Sequence, residues 1–188
     1  MEALMESIMV KDLMVPLEDY ATVSEDATLF EAVLMLEKAQ TNFNENRYQH
    51  RAILVYDKND RIVGKLSQLD VLNALEPQFG DPEKLRMLDR FGMDGAYIRN
   101  LIEQHGFLKK PLLNICQRAA DMKVKNIMYT PTKGEIVSEK AALNEAILQL
   151  LAGHHQSLLV TRGNDIVGIL RLTDVFKQVT DTIKECKL

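Results

Sequence analysis

Apolar residues in this chain fall into short blocks of two kinds, and the blocks occur twice in the same order. In the C-terminal half Ala142, Leu143, Ala146, Ile147, Leu150 and Leu151 are spaced by three and four, which places them on one face of a helix that Gly153 would end. SLLVT at 157–161 then has the unbroken apolar character of a buried strand, RGND reads as a turn, and IVGIL at 166–170 reads as a second strand of a hairpin. Helical spacing resumes through Leu172, Val175, Phe176 and Val179, which puts Asp174 in the first turn of a closing helix.

The N-terminal half repeats this order. VKDLM at 10–14 matches VKNIM at 124–128, and VSEDATLFEAV at 23–33 matches VSEKAALNEAI at 137–147. HRAILV at 50–55 matches HQSLLV at 155–160, and RIVGKLSQLD at 61–70 matches DIVGILRLTD at 165–174. Such self-similarity means two copies of one supersecondary unit, here a helix, two strands and a helix after a short extended lead-in. The expected fold class is α+β, with copies at 1–76 and 123–188 related by a pseudo-two-fold axis.

Ser24 and Ser138 each precede acidic residues and an apolar stripe, which reads as an N-cap for the first helix of each copy. KAQTNFNENRYQ at 38–49 reads as a polar loop after that helix. The segment 77–122 is too long for a plain linker in a compact protein. Asp81 as N-cap, Pro82 at the first helical position and Gly92 as terminator, followed by amphipathic stretches at 94–106 and 110–122, predict about three short helices there.

Composition then removes whole classes of function. A length of 188 residues suffices for a buried core in one ordinary domain or two small ones sharing it. A net charge of −4 provides no broad basic field, so no nucleic-acid polymer is expected as partner. No apolar run reaches the roughly 18 residues that a membrane span needs, and Glu2 and Glu6 stand where a secretory signal would be basic, so a cytoplasmic protein without a membrane partner is expected. Cys116 and Cys186 form no Cys-x-x-Cys pair, and the adjacent His154 and His155 do not face one another, so neither disulfide framework nor metal site is suggested. No nucleophile elbow, phosphate-cradling loop or His-Glu-x-x-His helix occurs, so no enzyme is expected.

The segments GKLSQLD at 64–70 and GILRLTD at 168–174 both place an aspartate six residues after a glycine, with serine at the fourth position of one and arginine at that of the other. With the order of elements, this resembles a tandem pair of cystathionine beta-synthase (CBS) domains, a Bateman module. The resemblance implies a regulatory module without a resident cofactor that binds an adenine nucleotide (AMP, ADP or ATP, or S-adenosylmethionine) in clefts between the repeats. It further implies modulation of an unknown regulated protein, and pairing as a homodimer.

On that resemblance Asp70 and Asp174 would accept hydrogen bonds from ribose hydroxyls, which a carboxylate can do for two donors at once. Ser67 keeps the hydroxyl position in the first copy, whereas Arg171 replaces it in the second, either blocking that site or bringing a guanidinium to a phosphate. Thr173 is adjacent, with its side chain expected to point elsewhere. His50 and Arg51 resemble a His-Arg pair that touches phosphates, and Ile62 and Ile166, with the lead-ins 14–23 and 128–137, correspond to zones of the adenine pocket. The residues alone also allow a plainer reading, with the aspartates complementing helix dipoles and Ser67 capping a helix. A scaffold that keeps the fold without nucleotide affinity is the alternative function.

Overall fold

The structure is a computed structural model that describes residues 8–42, 50–75 and 114–185. In the first copy a helical turn α1 (Val10–Leu13) leads into β1 (Val15–Pro16), a 3-10 turn (Leu17–Asp19) and β2 (Thr22–Ser24). Then come α2 (Leu29–Asn42), the hairpin β3 (Ala52–Tyr56) and β4 (Ile62–Ser67), and α3 (Gln68–Leu75). Helix α4 (Ile115–Asp121) precedes the second copy, which has 3-10 turns at Val124–Asn126 and Lys133–Glu135, then β5 (Ile136–Ser138) and α5 (Leu143–Ala152). The hairpin β6 (Ser157–Arg162) and β7 (Asp165–Arg171) and the closing helix α6 (Leu172–Glu185) complete it.

Each copy builds its own sheet: β2 lies parallel to β3, which pairs antiparallel with β4, and β5, β6 and β7 repeat the arrangement. The lead-ins, however, are exchanged. β1 of the first copy pairs antiparallel with β7 of the second, Val15 opposite Ile169. In the reverse direction Lys65 of β4 and Tyr129 of the second lead-in exchange backbone hydrogen bonds of 2.9 and 2.8 Å. The helix starts are tied the same way, Leu29 N–H donating to the Met122 carbonyl at 2.8 Å and Leu143 N–H to the Ile8 carbonyl at 2.9 Å.

This exchange explains the repeated Ile-Val-Gly. A Cβ on Gly64 would lie 2.6 Å from Met128 Sδ, and one on Gly168 would lie 2.5 Å from the Val15 carbonyl oxygen. Each glycine is the place where the other copy's lead-in crosses the strand, and a Cβ would press on that lead-in, on its backbone at Gly168 and chiefly on a side chain at Gly64.

The central strands β3 and β6 are buried on both faces, which is why their sequences are unbroken apolar runs. Ile53 and Val55 face the core of the first copy, and Leu158 and Val160 that of the second. Leu54 and Leu159 belong instead to a third cluster, with Val15, Tyr20 and Ile169, that joins the two sheets. Burying such a leucine contributes about 2 kcal/mol, so this seam helps hold the two copies together.

Several local expectations are corrected. Ser24 and Ser138 end β2 and β5 rather than cap a helix, each accepting from a backbone N–H two residues on, Asp26 at 3.3 Å and Lys140 at 3.2 Å. The cap of α2 is Thr28, whose Oγ1 accepts from Glu31 N–H at 3.2 Å while Glu31 accepts from Thr28 N–H at 2.7 Å. Lys38 to Asn42, expected in a loop, continue α2. Gly153 does follow α5, and a Cβ there would lie 1.9 Å from His155 Nε2, so the imidazole folds back over the place that the glycine leaves open. Of the helices expected between the copies α4 is seen, and the stretch around Asp81, Pro82 and Gly92 lies outside the described residues.

Candidate functional site

A cleft of about 450 Å³ opens between the copies, where β4 runs into α3 and β7 into α6. Helix α3 starts from the carbonyl of Arg51, which accepts from Gln68 N–H at 3.1 Å, and α6 starts from that of Gln156, which accepts from Leu172 N–H at 3.0 Å. These matched contacts bring both signature segments to the same opening. Arg51, Ser67, Asp70, Arg171 and Thr173 all line it, Thr173 included although its side chain was expected to point elsewhere.

In the first copy Ser67 and Asp70 form a reciprocal cap. Asp70 Oδ2 accepts from Ser67 N–H at 2.8 Å and from its hydroxyl at 2.6 Å, while Ser67 Oγ accepts from Asp70 N–H at 3.2 Å. The capping role and a ligand role are compatible here. Asp70 Oδ1 has no hydrogen bond among the described residues and remains a charged acceptor on the cleft wall.

In the second copy both carboxylate oxygens are taken. Arg171 Nε donates to Asp174 Oδ2 at 2.5 Å and Nη2 to Oδ1 at 2.7 Å, a two-pronged pair in which the side chains are 6% and 11% exposed. Two first-copy residues lie within electrostatic reach of it. His50, fully buried, meets the Tyr20 ring edge-on at 4.2 Å. Burial, reinforced by the Arg171 charge and opposed by Asp174, holds the His50 imidazole down at about 4. Burial likewise pushes the Tyr20 phenol up to about 12, against the pull of Arg171. His50 is thus a neutral interior group away from the cleft wall, and Ile62 and Ile166 pack on the seam between the sheets.

The opening also holds a polar cluster that the motif analysis missed. Lys65 Nζ donates to Glu135 Oε2, and Tyr129 OH donates to Glu135 Oε1 at 2.5 Å. Thr132 N–H adds a bond to Oε1 at 3.2 Å, and the Lys65 ammonium lies 5.1 Å from the Tyr129 ring centroid. Burial raises the Glu135 carboxyl, but the hydrogen bonds from Lys65, Tyr129 and Thr132 outweigh it and hold the group at about 2. The repeat alignment puts Ile169 of β7 and Val15 and Ala21 of the first lead-in at the matching positions, all buried and apolar. One signal was available: a lysine inside the strand sequence IVGKL where the other copy has IVGIL.

The CBS domain family model matches residues 10–77 and 124–181, the two copies described above. The chain belongs to the CBS-domain family. Its two repeats form the paired arrangement of a regulatory CBS module. Among solved structures it is similar to a CBS domain-containing protein of unknown function from Bacillus anthracis, with 19% identity, 96% of this chain and 99% of that one covered, and a TM-score of 0.63. It is also similar to the CBS domain of a CBS domain containing membrane protein from Sphaerobacter thermophilus, at 16% identity, 93% and 90% coverage and a TM-score of 0.62. A third similar structure is CBSX2 in complex with AMP, at 18% identity, 94% and 99% coverage and a TM-score of 0.58. No curated protein matches the chain. At these identities the likeness is one of fold. No helix among the described residues is long and apolar enough to cross a membrane, and no metal-binding cluster occurs among them.

Proposed function

We propose that this CBS pair is a regulatory module that binds one adenine nucleotide per chain, in the cleft at Asp70, and passes the binding on to a partner protein. The observation that carries this reading is the contrast between the two carboxylates. Asp70 retains an acceptor oxygen on the cleft wall, while Asp174 is filled by Arg171. A ribose diol offers two donors to such an oxygen, and Arg51, exposed at the same opening, offers a planar cation to a phosphate. The cleft volume of about 450 Å³ falls within the range of small-molecule sites. The AMP complex of the similar CBSX2 structure supports adenylate as the first ligand to try, with ADP, ATP and S-adenosylmethionine after it.

Nucleotide would act by preferring one arrangement of the repeats, since a ligand shifts an equilibrium only as far as its affinities for the two states differ. Unpartnered apolar side chains on the helices, Phe30 of α2 and Leu148 and Leu151 of α5 among them, support a homodimer. Calorimetric titration of nucleotide-free protein with AMP, ATP and S-adenosylmethionine tests the reading. Saturable binding of one ligand per chain, weakened about 100-fold or more by Asp70→Ala, is expected. The double variant Arg171→Met with Asp174→Leu should keep it. No heat and no thermal shift from folded protein with any of the three would leave the scaffold reading in its place.

A further inference from the structure

The exchanged lead-ins carry one methionine each at matching places, Met14 in VKDLM and Met128 in VKNIM, and the signature segments make no use of them. Each packs on the other copy, Met14 against the core of the second and Met128 against that of the first. Each sulfur also lies over the crossing glycine. A Cβ on Gly64 would lie 2.6 Å from Met128 Sδ, and one on Gly168 would lie 3.1 Å from Met14 Sδ. The thioethers therefore fill the room that the glycines leave. They do so beside the backbone pairs, Val15 with Ile169 and Tyr129 with Lys65, that join each lead-in to the other copy's sheet.

Both methionines are half-buried, unlike the sealed Val15 and Val124 of the same lead-ins, which leaves them open to a small dissolved oxidant. A leucine of similar volume would fill the same space and could not be oxidised. With hydrogen peroxide the thioether gives its sulfoxide: a sulfur lone pair takes one oxygen, the O–O bond breaks, sulfur loses two electrons and the other oxygen leaves as water. A dithiol reductant reverses the step, its two thiols becoming a disulfide as the oxygen leaves as water. An apolar cluster disfavours the new dipole, and the flexible side chain can carry it to water only by leaving the glycine that it covers.

We propose that Met14 and Met128 form a reversible oxidation switch, in which peroxide converts the thioethers to sulfoxides, draws the lead-ins off Gly168 and Gly64 and loosens the tie between the two repeats. Met128 is the stronger of the two pins, because its sulfur lies nearer its glycine. The switch does not depend on the nucleotide reading of the cleft.

The test uses the full chain with Cys116→Ser and Cys186→Ser, which removes the thiols as competing targets. Peptide mass mapping after hydrogen peroxide treatment follows each methionine, with Met35, 42% exposed on α2, as the marker of complete treatment. The expected result is one added oxygen on both Met14 and Met128, with a melting temperature lower by about 5 °C or more. Methionine sulfoxide reductases of both epimer specificities, with dithiothreitol, should restore it. The fall should be absent from the double variant Met14→Leu with Met128→Leu. If that variant does not fold, the single variants carry the test, and Met128→Leu should protect more than Met14→Leu. Unmodified Met14 and Met128 beside fully oxidised Met35 would overturn the proposal, as would their oxidation without a change in melting. An equal fall in the folded double variant would place the effect at other methionines and overturn it too. A fall that the reductases cannot reverse would make the oxidation damage and sink the switch.

Discussion

The end of β4 and the end of β7 are the same place in two copies of one unit, yet they present opposite chemistry to a ligand. At the first, a serine hydroxyl caps the helix and shares the aspartate, leaving one oxygen without a hydrogen bond among the described residues. At the second, a guanidinium consumes both oxygens, with a buried histidine and tyrosine nearby. The difference teaches that the signature aspartate alone does not define a binding site. What stands three residues before it decides whether the carboxylate is offered outward or spent inward.

The largest break in this comparison comes from removing each aspartate. Asp174→Ala breaks a buried ion pair and should destabilise the protein by about 3 to 5 kcal/mol. Asp70→Ala removes part of a helix cap and should cost about 1 kcal/mol while weakening the proposed nucleotide binding about 100-fold or more. Urea midpoints of the two variants measure the contrast, and equal midpoints would sink it.

Acid should open the second site before the first. His50 has an ordinary value of 6.5 and is held near 4 in the fold, so the unfolded chain binds a proton that the folded one refuses. That contribution is complete above pH 6.5 and is lost as pH falls toward 4, on the order of 3 kcal/mol at most. Glu135, depressed from 4.5 to about 2, keeps its contribution down to about pH 4.5 and loses it below. His50→Phe should flatten the stability profile between pH 6.5 and 4, measured by thermal melts across that range.

The two crossing glycines give a smaller asymmetry. Alanine at 168 presses on the Val15 backbone, which cannot step aside, whereas alanine at 64 presses chiefly on the flexible Met128 side chain. Gly168→Ala should cost about 3 kcal/mol and Gly64→Ala about 1, read from the same denaturant titrations. Smallest is the helix start: Thr28→Ala should lower stability by about 1 kcal/mol, while Ala142, at the matching position with no side-chain cap, has nothing of that kind to lose.

Much of this architecture was legible in the residues because the chain states it twice. The order of elements, the hairpins and the placing of Asp70 and Asp174 at helix starts all follow from matched spacing and apolar period. The exchange of lead-ins was not legible, because the pattern of Val15 and Pro16 is the same whichever sheet they join. The true cap of α2 was present as Thr28 with Glu31 three residues on, but Ser24 competed for the role, and only the backbone shows that β2 runs as far as Ser24. At Arg171 the residues allowed either blocking or phosphate capture, and the fork on Asp174 is what supports blocking. Lys65 was visible only as a mismatch between copies, since a lone lysine on a strand has no motif.

The pairing of Val15 with Ile169 also sets a timetable for synthesis. Strand β1 leaves the ribosome roughly 150 residues ahead of its partner, a wait on the order of 10 seconds at ordinary elongation rates. Until then the first repeat has its sheet, which the incoming lead-in at Met128 and Tyr129 can already join, but no place to dock its own. A nascent chain stopped before β7 would therefore carry an unplaced strand, the raw material for pairing with a neighbouring chain on the same message.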